Sequence, residues 1–202
     1  MSARLASVLT ILAACAGVDP HVRLTEEWPA KVDDYDTVTA AWTRKTTLRG
    51  PYQEALRLAA TFKSPEWREA HAIKDAESRQ LVGDARTQRL AQAQAEVAGP
   101  YEVELLVSTW DRAENDLDRG KKSSWHVVLV DETDHEIEPL EIARDKRPTY
   151  VVRSEFPAFE DFAIAYVARF PRTTPVLGAD VHRVRLRMSS ERGGVQVTWL
   201  AP

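Results

Sequence analysis

The stretch Gly99-Pro100-Tyr101-Glu102-Val103-Glu104-Leu105-Leu106-Val107-Ser108 marks the point at which the hydrophobic pattern of this chain changes. A glycine followed by proline is typical of a boundary between elements. After it, apolar and polar residues alternate, as in a strand with one buried face. Before it, apolar residues recur every three or four positions, as on one face of a helix. The sequence therefore predicts an α+β protein in which a helical part, residues 33–98, precedes a β-rich domain, residues 99–202.

Seven short candidate strands follow this boundary. The clearest alternation lies in residues 162–170, and Pro139 places the segment 137–143 at a sheet edge or a bulge. Gly193-Gly194 indicates a hairpin before the last strand. Because no helical pattern separates the strands, we predict an antiparallel β-sandwich of about seven strands that resembles the immunoglobulin-like class in architecture but lacks its cysteine pair. The candidate strands are residues 101–107, 125–130, 137–143, 150–156, 162–170, 184–188 and 195–199.

The segment before the boundary predicts an N-terminal helical hairpin. Acidic residues from Asp33 favour a helix start, and Gly50-Pro51 ends that helix. A second, shorter helix is predicted over residues 52–62. Ser64-Pro65 then begins a candidate helix that reaches Val97, about 50 Å long at 1.5 Å per residue. Its apolar stripe is narrow, which suits contact with a single neighbour or a partner protein.

The composition excludes several classes of protein. The 202 residues include 27 Lys and Arg against 31 Asp and Glu, a formal net charge of −4, which argues against a general nucleic-acid-binding protein. A hydrophobic content of 44% with six tryptophans argues against disorder. No apolar run reaches the ~20 residues of a membrane-spanning helix. The single cysteine allows neither an intrachain disulfide nor a cysteine-rich zinc site.

That cysteine lies at the end of an N-terminal segment with the order of a secretory signal. Arg4 precedes an uncharged apolar stretch, residues 5–14, which ends at Leu12-Ala13-Ala14-Cys15. These four residues resemble the lipobox of bacterial lipoproteins. The resemblance covers the first 15 residues and implies that residues 1–14 are a signal peptide, removed before Cys15, and that Cys15 is acylated and anchored in membrane lipid. The alternative is an apolar N-terminal helix with an incidental buried cysteine.

The residue after the cysteine bears on the choice of membrane. In enterobacterial lipoproteins an aspartate at this position favours retention in the inner membrane, and this chain has Ala16. The resemblance therefore implies an outer-membrane, periplasm-facing protein, with the inner membrane as the alternative. Residues 15–32 contain Gly17, Pro20 and Pro29 without a sustained period, and we predict a lipidated tether there.

The polar clusters do not match a known catalytic motif, and we predict no catalytic residue, cofactor or metal site. The acidic loop at residues 111–118 lacks the regular spacing of a calcium loop, which favours a solvated loop over a cation site. The polar segment 131–136, with His126, His135 and His182, could supply metal ligands only if the fold brought them together. A turn rich in Asp, Thr and His explains that segment without a metal.

Arg183, Arg185 and Arg187 form the candidate binding site of the sequence. Their period-two spacing places them on one face of a strand, with Val184 and Leu186 on the other. Guanidinium groups bind carboxylates and phosphates in bidentate fashion, so this stripe is a candidate site for an anionic envelope polymer or an acidic partner. The alternative is a solvent-exposed face with arginines paired to carboxylates across the strands.

Residues 156–162 hold a second apolar feature, with three phenylalanines in seven positions. They form either a corner that closes the end of the sandwich or an exposed platform for a partner.

Taken together, the sequence predicts a lipid-anchored cell-envelope protein with a non-enzymatic binding or scaffolding role. Two alternatives remain: an accessory subunit that docks through the long helix, and an envelope enzyme with a site not visible in the sequence.

Overall fold

Two antiparallel β-sheets face each other in the computed structural model, which describes residues 19–50 and 53–202. Four α-helices accompany the sheets, and this mixed fold confirms the predicted α+β sandwich. The helices are α1 (Tyr35–Trp42), α2 (Pro65–Ser78), α3 (Gly83–Glu96) and α4 (Thr149–Glu155). The strands are β1 (Thr43–Arg49), β2 (Glu54–Phe62), β3 (Tyr101–Thr109), β4 (His126–Val130), β5 (Glu136–Ile137), β6 (Glu141–Arg144), β7 (Ile164–Phe170), β8 (Arg183–Ser190) and β9 (Gly193–Leu200).

The strands form a five-stranded sheet in the order β1-β2-β3-β7-β6 and a four-stranded sheet in the order β5-β4-β8-β9. We call them sheet A and sheet B. Their inner faces form the core through alternate residues, as at Phe62 of sheet A and Trp199 of sheet B, whose ring centroids lie 5.6 Å apart. The Trp199 indole donates a buried hydrogen bond of 2.8 Å to the carbonyl of Trp42. The apolar alternation along β3, β7 and β8 is therefore the pattern that builds the core.

The predicted helical hairpin of residues 33–98 is wrong, because Thr43–Arg49 and Glu54–Phe62 form β1 and β2. In β2 the sequence fits both periods: Ala55, Leu56 and Ala59 have helical spacing, while Leu56, Leu58, Ala60 and Phe62 alternate. The alternating set faces the core, and β2 pairs with β1 on one side and β3 on the other. Pairing on both sides decides in favour of a strand, since it satisfies the backbone hydrogen-bonding groups of β2. The immunoglobulin-like arrangement is likewise not supported, because sheet A begins with these two strands.

The predicted long helix from Pro65 to Val97 is two helices with a tight turn between them. Gln80 and Gly83 adopt positive φ angles of 53° and 55°, which end α2 and begin α3. The helices run antiparallel, as the Asp75–Arg89 and Arg68–Glu96 ion pairs indicate. Of the predicted apolar stripe, Trp67 and Ala70 are buried, Ile73 and Leu81 are half-buried, and Ala85 is exposed.

Two of the predicted strands of the β-rich part also differ from the structure. Residues 150–156 were predicted to be a strand, but α4 occupies Thr149–Glu155, following Pro148, which suits a helix start. The segment 137–143 divides at Pro139 into β5 and β6, which belong to different sheets. Because proline cannot donate a ladder hydrogen bond, the chain leaves sheet B there and crosses to sheet A.

The N-terminal segment 19–32, predicted to belong to a tether, lies along the sandwich. Val22 and Leu24 are buried in the core, while Arg23 between them is exposed. The Val22 amide donates to the Leu200 carbonyl at 2.8 Å, and the Gly178 amide donates to the Leu24 carbonyl at 2.8 Å. Burial of two apolar side chains and these backbone hydrogen bonds hold the segment in place.

The outer face of sheet A is covered at one end and open at the other. Trp67 of α2 stacks on Phe156, which follows α4, with centroids 5.7 Å apart, and Tyr35 of α1 donates to the Glu155 carbonyl. Beneath these helices, Glu104 on the outer face of β3 is fully buried. At the opposite end of the same face the helices do not cover the sheet, and a cleft lies there.

Candidate functional site

The cleft on the outer face of sheet A has a volume of about 890 Å³. Its floor is built from β2, β3 and the start of β7, where Arg57, Ser108 and Ala163 lie. A smaller cavity of about 260 Å³ shares Arg57, Ser108 and Ala163 with it and continues across the sheet toward Lys45 on β1. Together the two cavities form an elongated depression that crosses four strands.

Two large aromatic side chains stand exposed at this cleft. Trp110 directly follows β3 and is 69% exposed, and Phe162 precedes β7 and is 75% exposed. Because β3 and β7 pair antiparallel, with Val107 opposite Ile164, the two residues lie at the same end of the sheet. An exposed ring does not contribute the free energy that burial of its apolar surface would provide. Exposed aromatic side chains that lie near each other therefore often mark a binding surface.

The loop after Trp110 is held firmly by buried hydrogen bonds. The Asn115 amide donates to the Val107 carbonyl at 2.7 Å, and the Tyr166 hydroxyl donates to the Asn115 carbonyl at 2.8 Å. The Trp125 indole donates to the Glu114 carbonyl at 2.9 Å. Burial raises the pKa of Tyr166 to about 12, so its hydroxyl stays protonated and remains a donor at neutral pH. The backbone that carries Trp110 is therefore preorganised.

The charged groups of the cleft are largely paired with one another. Arg57 binds Glu54 and also contacts Glu160 at 3.1 Å, and Arg153 contacts Asp161 at 2.9 Å. These hydrogen bonds and the two carboxylate charges raise the pKa of the Arg57 guanidinium further above its usual value. Arg112 lies over the face of Phe162, 5.6 Å from the ring centroid, in a cation–π contact. The cleft thus offers donors and acceptors with little net charge.

A separate group of charged residues is buried beneath the helices. Lys63 at the end of β2 approaches the fully buried Glu104 carboxylate to 2.8 Å. Burial raises the pKa of Glu104, and the Lys63 charge offsets part of that effect. The Lys63 ammonium also lies 5.9 Å from the ring centroids of Trp67 and Phe156. This pair ties sheet A to the helices and does not line the cleft.

Arg147 extends this charged group toward the surface. It binds Asp145 at 2.6 Å and also pairs with Glu155, which contacts His71 at 3.4 Å. Burial alone would raise the pKa of Asp145, but the hydrogen bonds and charge of Arg147 outweigh it and hold the pKa below its usual value. The pKa of Glu155 is lowered in the same way, against burial, by His71 and Arg147. The arrangement is a structural clamp between α4 and the end of β6.

The structure places Arg183, Arg185 and Arg187 together on the outer face of sheet B, with Val184, Leu186 and Met188 in the core. Arg185 and Arg183 pair with Asp134, and Arg187 pairs with Glu136. Hydrogen bonds from Arg185 and Arg187 lower the pKa of Asp134 and Glu136 respectively. Arg169, on the other sheet, binds Glu102 and Glu141. The three arginines therefore lie on one face as predicted, and the Asp134 and Glu136 carboxylates compensate two of their three charges.

The three histidines that could have supplied metal ligands contact different partners. His126 contacts Glu138 at 2.8 Å, the backbone amide of His135 donates to Asp131, and that of His182 donates to Glu132. Within residues 19–50 and 53–202, no group of three or more His, Cys, Asp or Glu side chains is arranged to hold a metal ion.

The acidic loop at residues 111–118 uses its carboxylates locally. Asp111 accepts from the Ala113 amide, Asp116 accepts from the Ser124 amide, and Asp118 pairs with Arg144 at 3.0 Å. These contacts fit the interpretation as a loop rather than a calcium site. They also place Arg112 and Glu114 beside the cleft end of the molecule.

Both interpretations of residues 156–162 describe part of the segment. Phe156 is buried and closes the covered end against Trp67, while Phe162 is exposed at the cleft. Sequence reasoning missed Trp110, which directly precedes the acidic loop at residues 111–118. Its position could have indicated this, because Trp110 follows the last alternating residue of β3, where the pattern no longer predicts a buried ring.

Cys15 and the signal segment lie outside the described residues. Among the described residues, no helix is both long and apolar enough to cross a membrane. Comparison of the chain with protein-family models, with curated proteins and with solved structures found no match in any of the three.

Proposed function

We propose that this chain is a lipid-anchored protein of the cell envelope with a non-enzymatic binding role. In this proposal acylated Cys15 holds it in the membrane, facing the periplasm, and the cleft at Trp110 and Phe162 binds the ligand. The order of Arg4, the apolar stretch and the lipobox-like Leu12-Ala13-Ala14-Cys15 supports the anchor. The position of the cleft relative to the start of the folded part supports the binding role.

The folded part begins close to the proposed anchor. Asp19 contacts Arg44 at 3.9 Å, and the Pro20 carbonyl accepts from Arg44 at 2.6 Å. Three residues lie between Cys15 and Asp19, which makes four steps from one Cα to the next. At about 3.3–3.6 Å per step, the two residues are at most roughly 14 Å apart. A lipid on Cys15 would therefore keep the Asp19 end of the sandwich next to the membrane.

The main cleft lies at the other end of the sandwich, and the smaller cavity extends from it toward Lys45. Arg44 and Leu200 mark the end where β1 begins and β9 finishes, whereas Glu54 and Trp110 lie where β2 begins and β3 finishes. A strand of the length of β1 spans roughly 20 Å at about 3.3 Å per residue. A lipid at Cys15 would thus leave the cleft pointing into the periplasmic space. The open cleft with exposed Trp110 and Phe162 is the single observation that carries the proposed binding role.

The cleft fits the role better than the other candidate surfaces. The stripe Arg183, Arg185 and Arg187 is paired with Asp134 and Glu136, so an anionic partner would have to displace carboxylates. Most apolar residues of α2 are buried within the molecule, and the exposed apolar residues of α3 are alanines, which offer little apolar area for docking. Ala16 favours the outer membrane within this proposal.

The anchor is tested with Cys15→Ser in the full chain, expressed in a bacterial host and labelled with an alkyne analogue of palmitate. The wild type should incorporate the label and fractionate with the outer membrane. Cys15→Ser should lose the label and retain residues 1–14, because lipidation precedes cleavage in this class of proteins. Thr10→Ser, which leaves the lipobox intact, is the matched control and should behave as the wild type. Unchanged labelling and fractionation of Cys15→Ser would overturn the anchor.

A further inference from the structure

The cleft at Trp110 and Phe162 combines flat apolar rings with hydrogen-bonding groups, and this combination restricts the ligand. The two rings are exposed, and Arg57, Glu54 and Glu160 lie beside them. A ligand that binds favourably to this site needs an apolar face that covers a ring and polar groups that hydrogen-bond around it. A purely apolar ligand would leave these charged groups without water, at a considerable cost.

The charge balance argues against an ionic ligand. Among the lining residues, Glu54, Glu160 and Asp161 are negative, and Arg57 and Arg112 are positive. Arg57 pairs with Glu54 and Glu160, and Asp161 pairs with Arg153, which lies outside the lining, so the carboxylates of the cleft are compensated. A site selected for an anion or a cation would present an excess of one sign. Balanced pairs instead offer acceptors and donors to an uncharged ligand with many hydroxyl groups.

The strands beneath the cleft argue against a peptide that adds to a sheet edge. The main cleft lies over β2, β3 and β7, and each of these strands pairs with a neighbour on both sides. Their backbone groups are used in the sheet, so a peptide could not gain ladder hydrogen bonds there. The exposed rings are also not membrane anchors if the lipid is on Cys15, because the cleft then lies at the end away from the membrane.

We infer that this cleft binds an uncharged oligosaccharide strand. Pyranose rings present a face of C–H groups, which stacks on the negative face of an aromatic ring, and a rim of hydroxyls that donate to carboxylates and accept from guanidiniums. Trp110 is the principal stacking platform, Phe162 is the second, and Glu54, Arg57 and Glu160 meet the hydroxyl rim. The continuation toward Lys45 gives the cleft the elongated shape that a strand of several sugar rings requires.

The inference deepens the proposed function by naming the class of ligand, and it rests on that proposal only for the direction in which the cleft faces. Its test uses the full chain, purified in a detergent without a sugar headgroup, and the uncharged probes chitotetraose, cellotetraose and maltotetraose. Isothermal titration calorimetry measures binding. Trp42, Trp67, Trp125 and Trp199 are buried, while Trp28 is half-buried. The difference in acrylamide quenching between the wild type and Trp110→Ala therefore reports on Trp110.

At least one of the three tetrasaccharides should bind and should protect the fluorescence of Trp110 from quenching. Trp110→Ala should weaken that binding by roughly tenfold or more, as for tryptophans at the centre of an interface, and Phe162→Ala should weaken it less. Tyr150→Ala is the matched control, since Tyr150 on α4 is 76% exposed but does not line the cleft, and its affinity should equal that of the wild type.

Three outcomes would overturn the inference. They are the failure of all three tetrasaccharides to bind, binding that Trp110→Ala leaves unchanged, and binding of a proline-rich peptide at the cleft without any saccharide. Because the assay uses purified protein in solution, its result is independent of the fractionation of Cys15→Ser. Failure of the anchor and failure of the saccharide site are therefore distinguishable.

Discussion

Arg147 shows how one side chain can connect two elements through charge. Its guanidinium holds Asp145, just after β6, and Glu155, the last residue of α4. Arg147 is 37% exposed, and Asp145 is nearly buried. Partial burial strengthens the pair relative to a surface ion pair, whose contribution is about 0–1 kcal/mol. The covered end of sheet A depends on this contact and on Lys63 with Glu104.

We predict that Arg147→Met lowers the free energy of unfolding at pH 7 by about 1–3 kcal/mol, less than for a fully buried pair because of solvent screening. The pKa values of Asp145 and Glu155 are lower in the folded protein than the ordinary values of 3.8 and 4.5. The stabilisation is therefore fully present above pH ~5 and is lost as the pH falls through the lowered values.

Urea unfolding of both proteins at pH 7 and pH 3 measures this effect, and the difference between them should shrink at pH 3. Arg79→Met is the control, because Arg79 is largely exposed and pairs with Asp75 on the surface, and it should change stability by less than about 1 kcal/mol at either pH. A difference between Arg147→Met and the wild type that is independent of pH would contradict the assignment.

At the scale of elements, the turn between α2 and α3 separates the observed helix pair from the single long helix that the sequence predicts. Gly83 has a φ of +55°, and a Cβ added there would meet no atom within 4 Å. The cost of a side chain at this position is therefore one of backbone conformation alone. In a continuous helix the same glycine would occupy an interior position, where alanine is preferred.

We predict that Gly83→Ala destabilises the protein by about 1–2 kcal/mol, since an L-residue pays that cost in the left-handed region. A continuous helix would instead gain about 1 kcal/mol from the same change, so the two architectures predict opposite signs. Chemical denaturation measures the change. Gln88→Ala on the exposed side of α3 is the control and should lie within about 0.5 kcal/mol of the wild type. A stabilised Gly83→Ala would contradict the turn.

The whole molecule has two distinct ends, and the proposed anchor assigns one of them to the membrane. Asp180 lies at the end where residues 19–24 join the sandwich, close to the hydrogen bond between Gly178 and Leu24. Glu191 lies in the turn between β8 and β9 at the opposite end, about 25 Å away along β8 at roughly 3.3 Å per residue. Both residues are exposed.

We predict that a fluorophore on Asp180→Cys is quenched by nitroxide-labelled lipid headgroups more strongly than one on Glu191→Cys. The measurement uses the lipidated full chain in vesicles, where acylation of Cys15 leaves the introduced cysteine as the reactive thiol. Asp180→Cys should lie nearer the lipid because Cys15 and Asp19 are at most roughly 14 Å apart. Quenching that is equal at both sites, or stronger at Glu191→Cys, would contradict the orientation on which the proposed function rests.

How much of the fold could be predicted differs from strand to strand. The strands β3, β7, β8 and β9 follow from alternation, because a period of two is unambiguous where one face is buried and polar residues mark the other. The segment of β2 satisfies two periods, and pairing partners distant in the chain choose between them. Pro139 signals an interruption, but the crossing from sheet B to sheet A depends on the packing of both sheets.

The sequence likewise predicts only part of the candidate binding surfaces. The spacing of Arg183, Arg185 and Arg187 is sufficient to place them on one strand face, since side-chain alternation is a local property of the backbone. Their pairing with Asp134 and Glu136 joins residues about 50 positions apart, which the assembly of sheet B brings together. Trp110 and Phe162 are also about 50 residues apart, and their shared cleft exists because β3 and β7 pair antiparallel.

The sequence by itself determined the α+β class, the antiparallel sandwich, the alternating core residues and the lipobox-like segment at Cys15, because each of these depends on residues close together in the chain. The tertiary structure alone decided that β1 and β2 are strands, that residues 19–32 lie on the sandwich, and that Trp110 and Phe162 meet in an open cleft. These features depend on contacts between distant segments, whose free energy overrides local preference once the sheets are assembled.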